Sequence, residues 1–370
     1  MKPKRTERIA SRARGENGFV LVVVLFLLVV LVMLATAVAA SGSRAVAEAQ
    51  QRVDAFEGEL DMLSTRDTVL YMLATQRRNL AGLSVLQAPP LTPAQIDMDA
   101  DGNSALPLGN EIRLDGRAYA GLRNAAFALQ DDTGLLSPNW AQPDMLASFF
   151  ASRGVTPDQW SALEAKRLDY QDPDDLHRLD GAEAADYRKA GRPPPSNRTL
   201  GTPLEFRRIL QWDDMLDGLD DNQLLGLLSM RRGASINVNS APVGVLALLP
   251  GMNLAQAERL VALREQVPVA STWSLLESFT LAPEMAEALT LFPNVSGNLI
   301  LWDRRYGGRR LVHWTLTPYA IDAPPWRIDY EVTLPRDNQS DPNVAGAPET
   351  PLFAPQDAGG EGIQPGSGGG

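Results

Sequence analysis

Phe19-Val20-Leu21-Val22-Val23-Val24-Leu25-Phe26-Leu27-Leu28 opens an apolar run that reaches Ala40, and no charged residue interrupts the chain before Arg44. Twenty-two residues from Phe19 to Ala40, rising about 1.5 Å each as a helix, span roughly 33 Å, enough to cross a hydrocarbon core of about 30 Å. Before Gly18 stand Lys2, Lys4, Arg5, Arg8, Arg12 and Arg14, opposed by Glu7 and Glu16. A basic flank ahead of a spanning helix stays on the cytoplasmic side, which places everything after Arg44 on the far side of the membrane. Ala35-Thr36-Ala37-Val38-Ala39-Ala40 also fits a small-residue secretory cleavage site, and an uncleaved signal anchor has the same composition. On the residues alone both alternatives stay open.

Composition narrows the function classes. The 370 residues contain no cysteine, two histidines and a net charge of −11. Disulfide stapling and thiol chemistry are excluded, and about 300 residues beyond the membrane bury a core without staples. An acidic chain with no basic stripe binds nucleic acid or anionic lipid poorly. His177, His313 and Ser240 form no spaced Ser/His/Asp arrangement, so no enzyme is expected.

Beyond the membrane run, Val46, Ala49, Val53, Phe56, Leu60, Leu63, Leu70 and Leu73 recur at three- and four-residue steps. That seam predicts a continuing helix that packs on the protein's own sheet and, in its upper part, on neighbouring helices. Gly42 and Gly58 are candidate bend points. Pro89-Pro90 and Pro93 end the helical region. Glu111–Leu114 and Arg117–Ala120 flank Asp115-Gly116, which predicts a two-residue hairpin, and Ala125–Gln130 reads as a third strand. From Pro138 to about Ala288 the pattern is helical with proline breaks. Strands resume at Asn298–Trp302, Arg310–Thr317 and Trp326–Leu334, with Tyr306-Gly307-Gly308 as a turn. The expected class is α+β: a long membrane-spanning helix, an α/β head with an antiparallel sheet, and a large all-α domain inserted in the head. From Arg336 onward Pro, Gly, Asn and Asp predominate, predicting a disordered tail.

The Gly18-Phe19 junction resembles the type IV pilin class of signal. The resemblance implies cleavage by prepilin peptidase between Gly18 and Phe19, with N-methylation of Phe19. Val23 is then the fifth residue of the mature chain, where most pilins and pseudopilins carry a glutamate thought to neutralise a neighbour's N-terminal amine. A carboxylate there costs roughly 2.5–3.5 kcal/mol in the bilayer, and a subunit with nothing above it has no amine to neutralise. Further along come Leu129-Gln130-Asp131-Asp132-Thr133-Gly134 and Leu168-Asp169-Tyr170-Gln171-Asp172-Pro173-Asp174-Asp175. Asp180-Gly181-Ala182-Glu183 with Tyr187, and Pro194-Pro195-Ser196-Asn197 with Leu204-Glu205-Phe206, follow. The last is Ile236-Asn237-Val238-Asn239-Ser240-Ala241-Pro242 leading to Leu248-Leu249-Pro250-Gly251. In this order they resemble the K-type minor pseudopilin of the bacterial type II secretion system over residues 8 to 335. Tyr170 departs from the tryptophan common there.

The residues and the resemblance together give these expected boundaries, the tail from composition alone: leader 1–18, transmembrane helix 19–40, periplasmic continuation of the helix 41–88, pilin-like α/β domain 89–137 with 289–337, inserted helical domain 138–288 of SAM-like or helix-hairpin-helix-like type, and disordered tail 338–370. The resemblance implies a single-pass inner-membrane protein with a periplasmic head that caps the tip of a pseudopilus and helps nucleate it for export of folded proteins. The implied partners are I- and J-type minor pseudopilins, the major pseudopilin, the inner-membrane platform and prepilin peptidase. Val46, Val53, Phe56, Leu60 and Leu63 are its expected assembly face. A rival of another class is a membrane-anchored, calcium-dependent adhesin or ligand-binding protein with an uncleaved anchor.

Seven acids lie between Asp169 and Asp186. Such density requires solvation or a cation, and hard oxygens suit calcium; a solvated acidic loop remains the alternative. The resemblance implies calcium in the helical domain, assigned to Asp169, Asp172, Asp174 and Glu183. Asp97, Asp99 and Asp101 before Gly102 copy the start of an EF-hand loop, but its twelfth position is Leu108, without the bidentate acid. This weaker candidate also fits a solvated turn. Leu249-Pro250-Gly251-Met252 resembles the hairpin of helix-hairpin-helix modules, yet Glu258 and Glu265 beside Arg259 and Arg264 oppose a polyanion.

Overall fold

The structure, a computed structural model, describes residues 17–85, 107–305, 307–335 and 342–353. The expected leader up to Glu16, the Asp97/Asp99/Asp101 segment, Pro89-Pro90 and Pro93, Tyr306 and the tail beyond Phe353 lie outside these residues. The chain forms two compact units, divided between Glu57 and Gly58.

In the first unit all described residues belong to one helix, Asn17–Thr75, which runs on into the second. It passes through Gly42 and Gly58 without a break, so neither acts as an interruption. One window of it is long and apolar enough to cross a membrane, and none of that window is buried. Valine-rich sequence has only middling helix propensity in water, whereas in lipid a helix is the one single-segment fold that pairs every backbone group. Past Arg44 the surface turns polar, with an Arg52–Glu48 ion pair at 2.7 Å.

The second unit contains the end of that helix. Its expected continuation to residue 88 is corrected: the helix stops at Thr75, and β1 (Arg78–Asn79) turns back into β2 (Gly82–Ser84). Asn79 Oδ1 accepts from the Ala81 and Gly82 amides, a side-chain-held turn that ends helical propagation. The expected hairpin at Asp115-Gly116 is also corrected. β3 (Glu111–Ile112) pairs with β2, whereas β4 (Asp115–Ala120) pairs with β5 (Ala125–Asp131). Gly116, at φ +83°, sits where the β4–β5 register shifts between Asp115 and Ala118. Asp-Gly serves there as a bulge, because β3 and β4 belong to different sheets.

Five antiparallel strands make the main sheet. β8 (Ser296–Asp303), β9 (Arg309–Leu316) and β10 (Trp326–Leu334) extend it in the order β10-β9-β8-β5-β4. β5 is buried along its whole length, and alternation sorts its side chains. Phe127 and Leu129 join Val69, Leu70 and Leu73 of the long helix, with Val312 and Trp314. Ala126 and Ala128 face Trp302 and Val344, the small side chains leaving room for the indole. Gly58 is a contact glycine: a Cβ there would lie 2.5 Å from Asp303 Oδ2.

The tail expectation is corrected for residues 342–353. Val344 and Thr350 are buried, Ala120 donates its amide to Pro348 O at 2.9 Å, and Phe353 meets Phe127 edge-on at 5.8 Å. This segment covers the edge of β4, which composition alone had marked as unable to bury a core.

Between β5 and β8 lies a helical domain with helices from Pro143–Ser152 to Thr272–Phe279. Prolines open the first turns of Pro143–Ser152 and Pro157–Gln171, and Asn253 with Gln256 forms a capping box on Leu254–Gln266. A parallel pair, β6 (Ile236–Asn237) with β7 (Leu289–Thr290), stands within this otherwise helical stretch. Its core centres on Trp212, stacked on Phe206 at 4.9 Å, edge-on to Phe150 at 5.7 Å, and donating Nε1 to Leu163 O at 2.9 Å. Trp212→Ala removes a fully buried ring and orphans that carbonyl; a loss of about 3–5 kcal/mol is expected, read as a lowered denaturant midpoint.

Candidate functional site

The acidic loop that follows helix Pro157–Gln171 has three kinds of carboxylate. Asp169, fully buried, accepts from the Arg178 guanidinium at 2.6 Å and from the amides of Arg178 (3.2 Å) and Ala182 (3.0 Å). A Cβ at Gly181 would overlap that carboxylate, so the approach requires glycine. Asp172 shares the same Arg178 nitrogen, and the two acids, Asp172 first, raise the arginine's pKa. Asp174 instead accepts from the Leu176 amide at 2.9 Å. Glu183 is 5% exposed, and neither of its carboxylate oxygens has a hydrogen-bond partner; Asp172 Oδ1 is equally unpartnered. Burial, then the charges of Asp169, Asp172 and Asp175, pushes the Glu183 carboxyl up.

Among the described residues no group of three or more His, Asp or Glu side chains stands arranged around a common metal position. Arg178 supplies the cation between Asp169 and Asp172. The unpartnered oxygens of Glu183 and Asp172 are the features that fit a hard cation. His177, exposed, pairs with Asp186 at 2.8 Å.

Phe19 is 74% exposed and Val23 is half-exposed within the long helix. Of the expected assembly face, Val46, Val53 and Phe56 in the first unit are exposed, as is Leu60 in the second, while Leu63 is half-buried. The face that the helix turns to its own sheet is a different one: Asp61, Met62, Thr65, Val69 and Leu73. Leu249-Pro250-Gly251-Met252 forms the turn before Leu254–Gln266, with Leu249 and Met252 buried and Arg259 lying over the Phe279 ring at 4.7 Å.

A second cluster, which sequence reasoning noted only as a motif, lies where the helical domain meets the sheet. Asp131 is fully buried and accepts from Thr133 N at 3.2 Å, Asn237 Nδ2 at 3.0 Å, Ser240 Oγ at 2.9 Å and Asn294 N at 2.9 Å, besides Thr133 Oγ1. Burial raises its pKa despite these donors. Asp132 accepts from Ser296 Oγ at 2.6 Å and meets His313 Nε2 at 3.0 Å, while His313 Nδ1 meets Asp329 at 2.9 Å. Tyr330 stacks on the imidazole at 4.8 Å. Ser296 and His313 both address the carboxylate, not each other, so the cluster is an ion-pair network and not a nucleophilic triad.

Burial opposes the charge on His313, but the hydrogen bonds and charges of Asp132 and Asp329 override it and raise the imidazole to about 9, from an ordinary 6.5. Burial also opposes ionisation of Asp329, and His313, Thr315 and Arg327 nevertheless hold it at about 2. The stabilisation from protonated His313 is therefore complete below about pH 6.5 and lost as pH rises through about 9, whereas that from Asp329 is lost only as pH falls through about 2. The difference in denaturant midpoint between the protein and His313→Gln isolates this contribution: it should be constant from about pH 4 to 6.5 and shrink as pH rises toward 9.

No family model matches the chain, and no curated protein does. Among solved structures the chain is similar to one from the crystal structure of the GspK-GspI-GspJ complex of the enterotoxigenic Escherichia coli Type 2 Secretion System. The identity is 14% and the TM-score 0.44, over 78% of this chain and 99% of that one.

Proposed function

We propose that this chain is a K-type minor pseudopilin of a type II secretion system, anchored in the inner membrane with its head in the periplasm. The observation that carries the reading is the uncharged apolar segment behind Gly18-Phe19, unburied throughout its membrane-length window, on a helix that goes on to build the head. A helix of that kind needs lipid or sister helices as its surroundings. Val46, Val53 and Phe56 extend the unpartnered apolar surface beyond the membrane run. Burying each against a neighbouring subunit contributes up to about 1.5–3 kcal/mol.

Capping follows from two features. Val23 offers no carboxylate for the amine of a subunit above, and the helical domain between β5 and β8 adds bulk that a shaft subunit has to accommodate in its neighbours. In this reading the subunit sits at the pseudopilus tip with I- and J-type minor pseudopilins, above the major pseudopilin, and helps nucleate assembly on the inner-membrane platform. Its role is mechanical and non-enzymatic. Mass spectrometry of the mature N-terminus tests the assignment. N-methyl-Phe19 is expected; a chain retaining Met1 would instead favour the anchored, ligand-binding rival.

Calcium belongs to the same reading. Asp169, Asp172, Asp174 and Glu183 would hold it once Arg178 is displaced from Asp169 and Asp172, and the ion would supply the positive charge that the unpartnered oxygens of Glu183 and Asp172 lack. Chelation should lower the melting temperature of the detergent-solubilised chain, and calcium should restore it. An unmoved midpoint would make the loop a solvated one closed by Arg178.

A further inference from the structure

In a chain of net charge −11, the fold gathers four arginines around one opening. Arg192, Arg198, Arg207 and Arg208 line a cleft of about 650 Å³ in the helical domain, with Tyr170 and the Pro193-Pro194 wall completing it, and among the described residues no acidic side chain lines it. Carboxylates stand behind three of the four. Asp213 pairs with Arg192, Asp221 with Arg207 at 3.4 Å, and Glu205 with Arg198 only at 3.9 Å. Arg208 is exposed and has no ion pair among the described residues. The forks of Arg198 and Arg208 are thus the least neutralised.

The walls are held in advance. Phe206, stacked on Trp212, fixes the 3₁₀ turn Pro203–Arg208 that carries Arg207 and Arg208. Ser196 Oγ and Asn197 N both donate to Tyr170 O, at 3.2 and 3.1 Å, tying the proline segment to the end of helix Pro157–Gln171. Proline has no N–H and a fixed φ, so this wall is stiff and apolar. Little ordering remains to be done when a ligand arrives.

We propose that this cleft binds an acidic peptide segment of a partner protein. Guanidinium forks match carboxylates in bidentate geometry, and several arginines along one cleft match successive Asp or Glu side chains. The volume lies within the range of about 300–1,000 Å³ typical of ligand sites. A lone phosphate would leave the proline wall uncovered, whereas the aliphatic stems of Glu or Asp residues lie along it. Nucleic acid is disfavoured because the chain as a whole repels a long polyanion. The inference is independent of the pseudopilin reading, since it rests on the cleft alone.

The test is fluorescence anisotropy on the full chain in neutral detergent, with labelled hexaglutamate, a hexaglutamine control, and inorganic phosphate as competitor. Hexaglutamate should bind, more weakly at higher salt, and hexaglutamine should not. Arg198→Gln with Arg208→Gln should weaken hexaglutamate at least tenfold at an unchanged melting temperature, while Arg232→Gln, an exposed arginine outside the lining, should not. Equal affinity for the double variant overturns the proposal, as does failure of hexaglutamate to bind. Complete displacement by equimolar phosphate overturns it in favour of a small-oxyanion site.

Discussion

The Asp131 carboxylate joins the two halves of the head. It is buried with no lysine or arginine bonded to it among the described residues, and its donors come from the start of the helical domain (Thr133), its middle (Asn237 and Ser240) and its return (Asn294). A carboxylate placed so deeply is tolerable only when its lone pairs are filled. The arrangement is therefore close to all-or-none: lose the segment that brings Asn237 and Ser240, and the acid is stranded. Next to it, Asp132 turns to the sheet and locks onto His313, which Asp329 of β10 holds from the other side. Two neighbouring acids thus fasten the helical domain with one and the sheet edge with the other.

That junction explains how so large an excursion fits inside a sheet. β5 and β8 are paired neighbours, with Asp131 opposite Gly297, so the chain leaves and returns at the same place. Each doubling of a loop's length costs only about 0.6 kcal/mol of closure entropy, and the helical domain has its own core around Trp212 to offset the ordering of its chain. The β6–β7 pair delivers Asn237 next to Asp131. The motifs around residues 129–134 and 236–242 are two sides of one contact.

The long helix serves two environments with two faces. Met62, Thr65, Val69 and Leu73 turn to the sheet, whereas Phe56 and Leu60 remain exposed. Helical periodicity identified apolar positions on both sides as one seam, because alternating three- and four-residue steps describe any stripe that drifts slowly around a helix. Charge shows the same kind of sorting by fold. The acidic loop has Arg178 as its internal cation, while Arg192, Arg198, Arg207 and Arg208, spread along a stretch with Glu205 as its one acid, are gathered around a single cleft by the fold.

By itself the sequence determined what depends on short-range composition: an uncharged run long enough for a bilayer, an α+β class, and the strands Ala125–Asp131, Ser296–Asp303, Arg309–Leu316 and Trp326–Leu334 to within two residues at each end. It misjudged Asp115-Gly116, since a bulge and a hairpin use the same left-handed glycine, and only the pairing partner tells them apart. It placed the helix end too late because the Asn79 turn is held by one side chain. Segment 342–353 looked unable to fold because its order comes from the β4 edge and Phe127, not from its own residues. The roles of Asp131, Asp132 and His313 were decided by the tertiary structure alone. Their partners lie as far as 163 and 181 positions away in sequence, and no local pattern encodes which distant donor a buried carboxylate will meet.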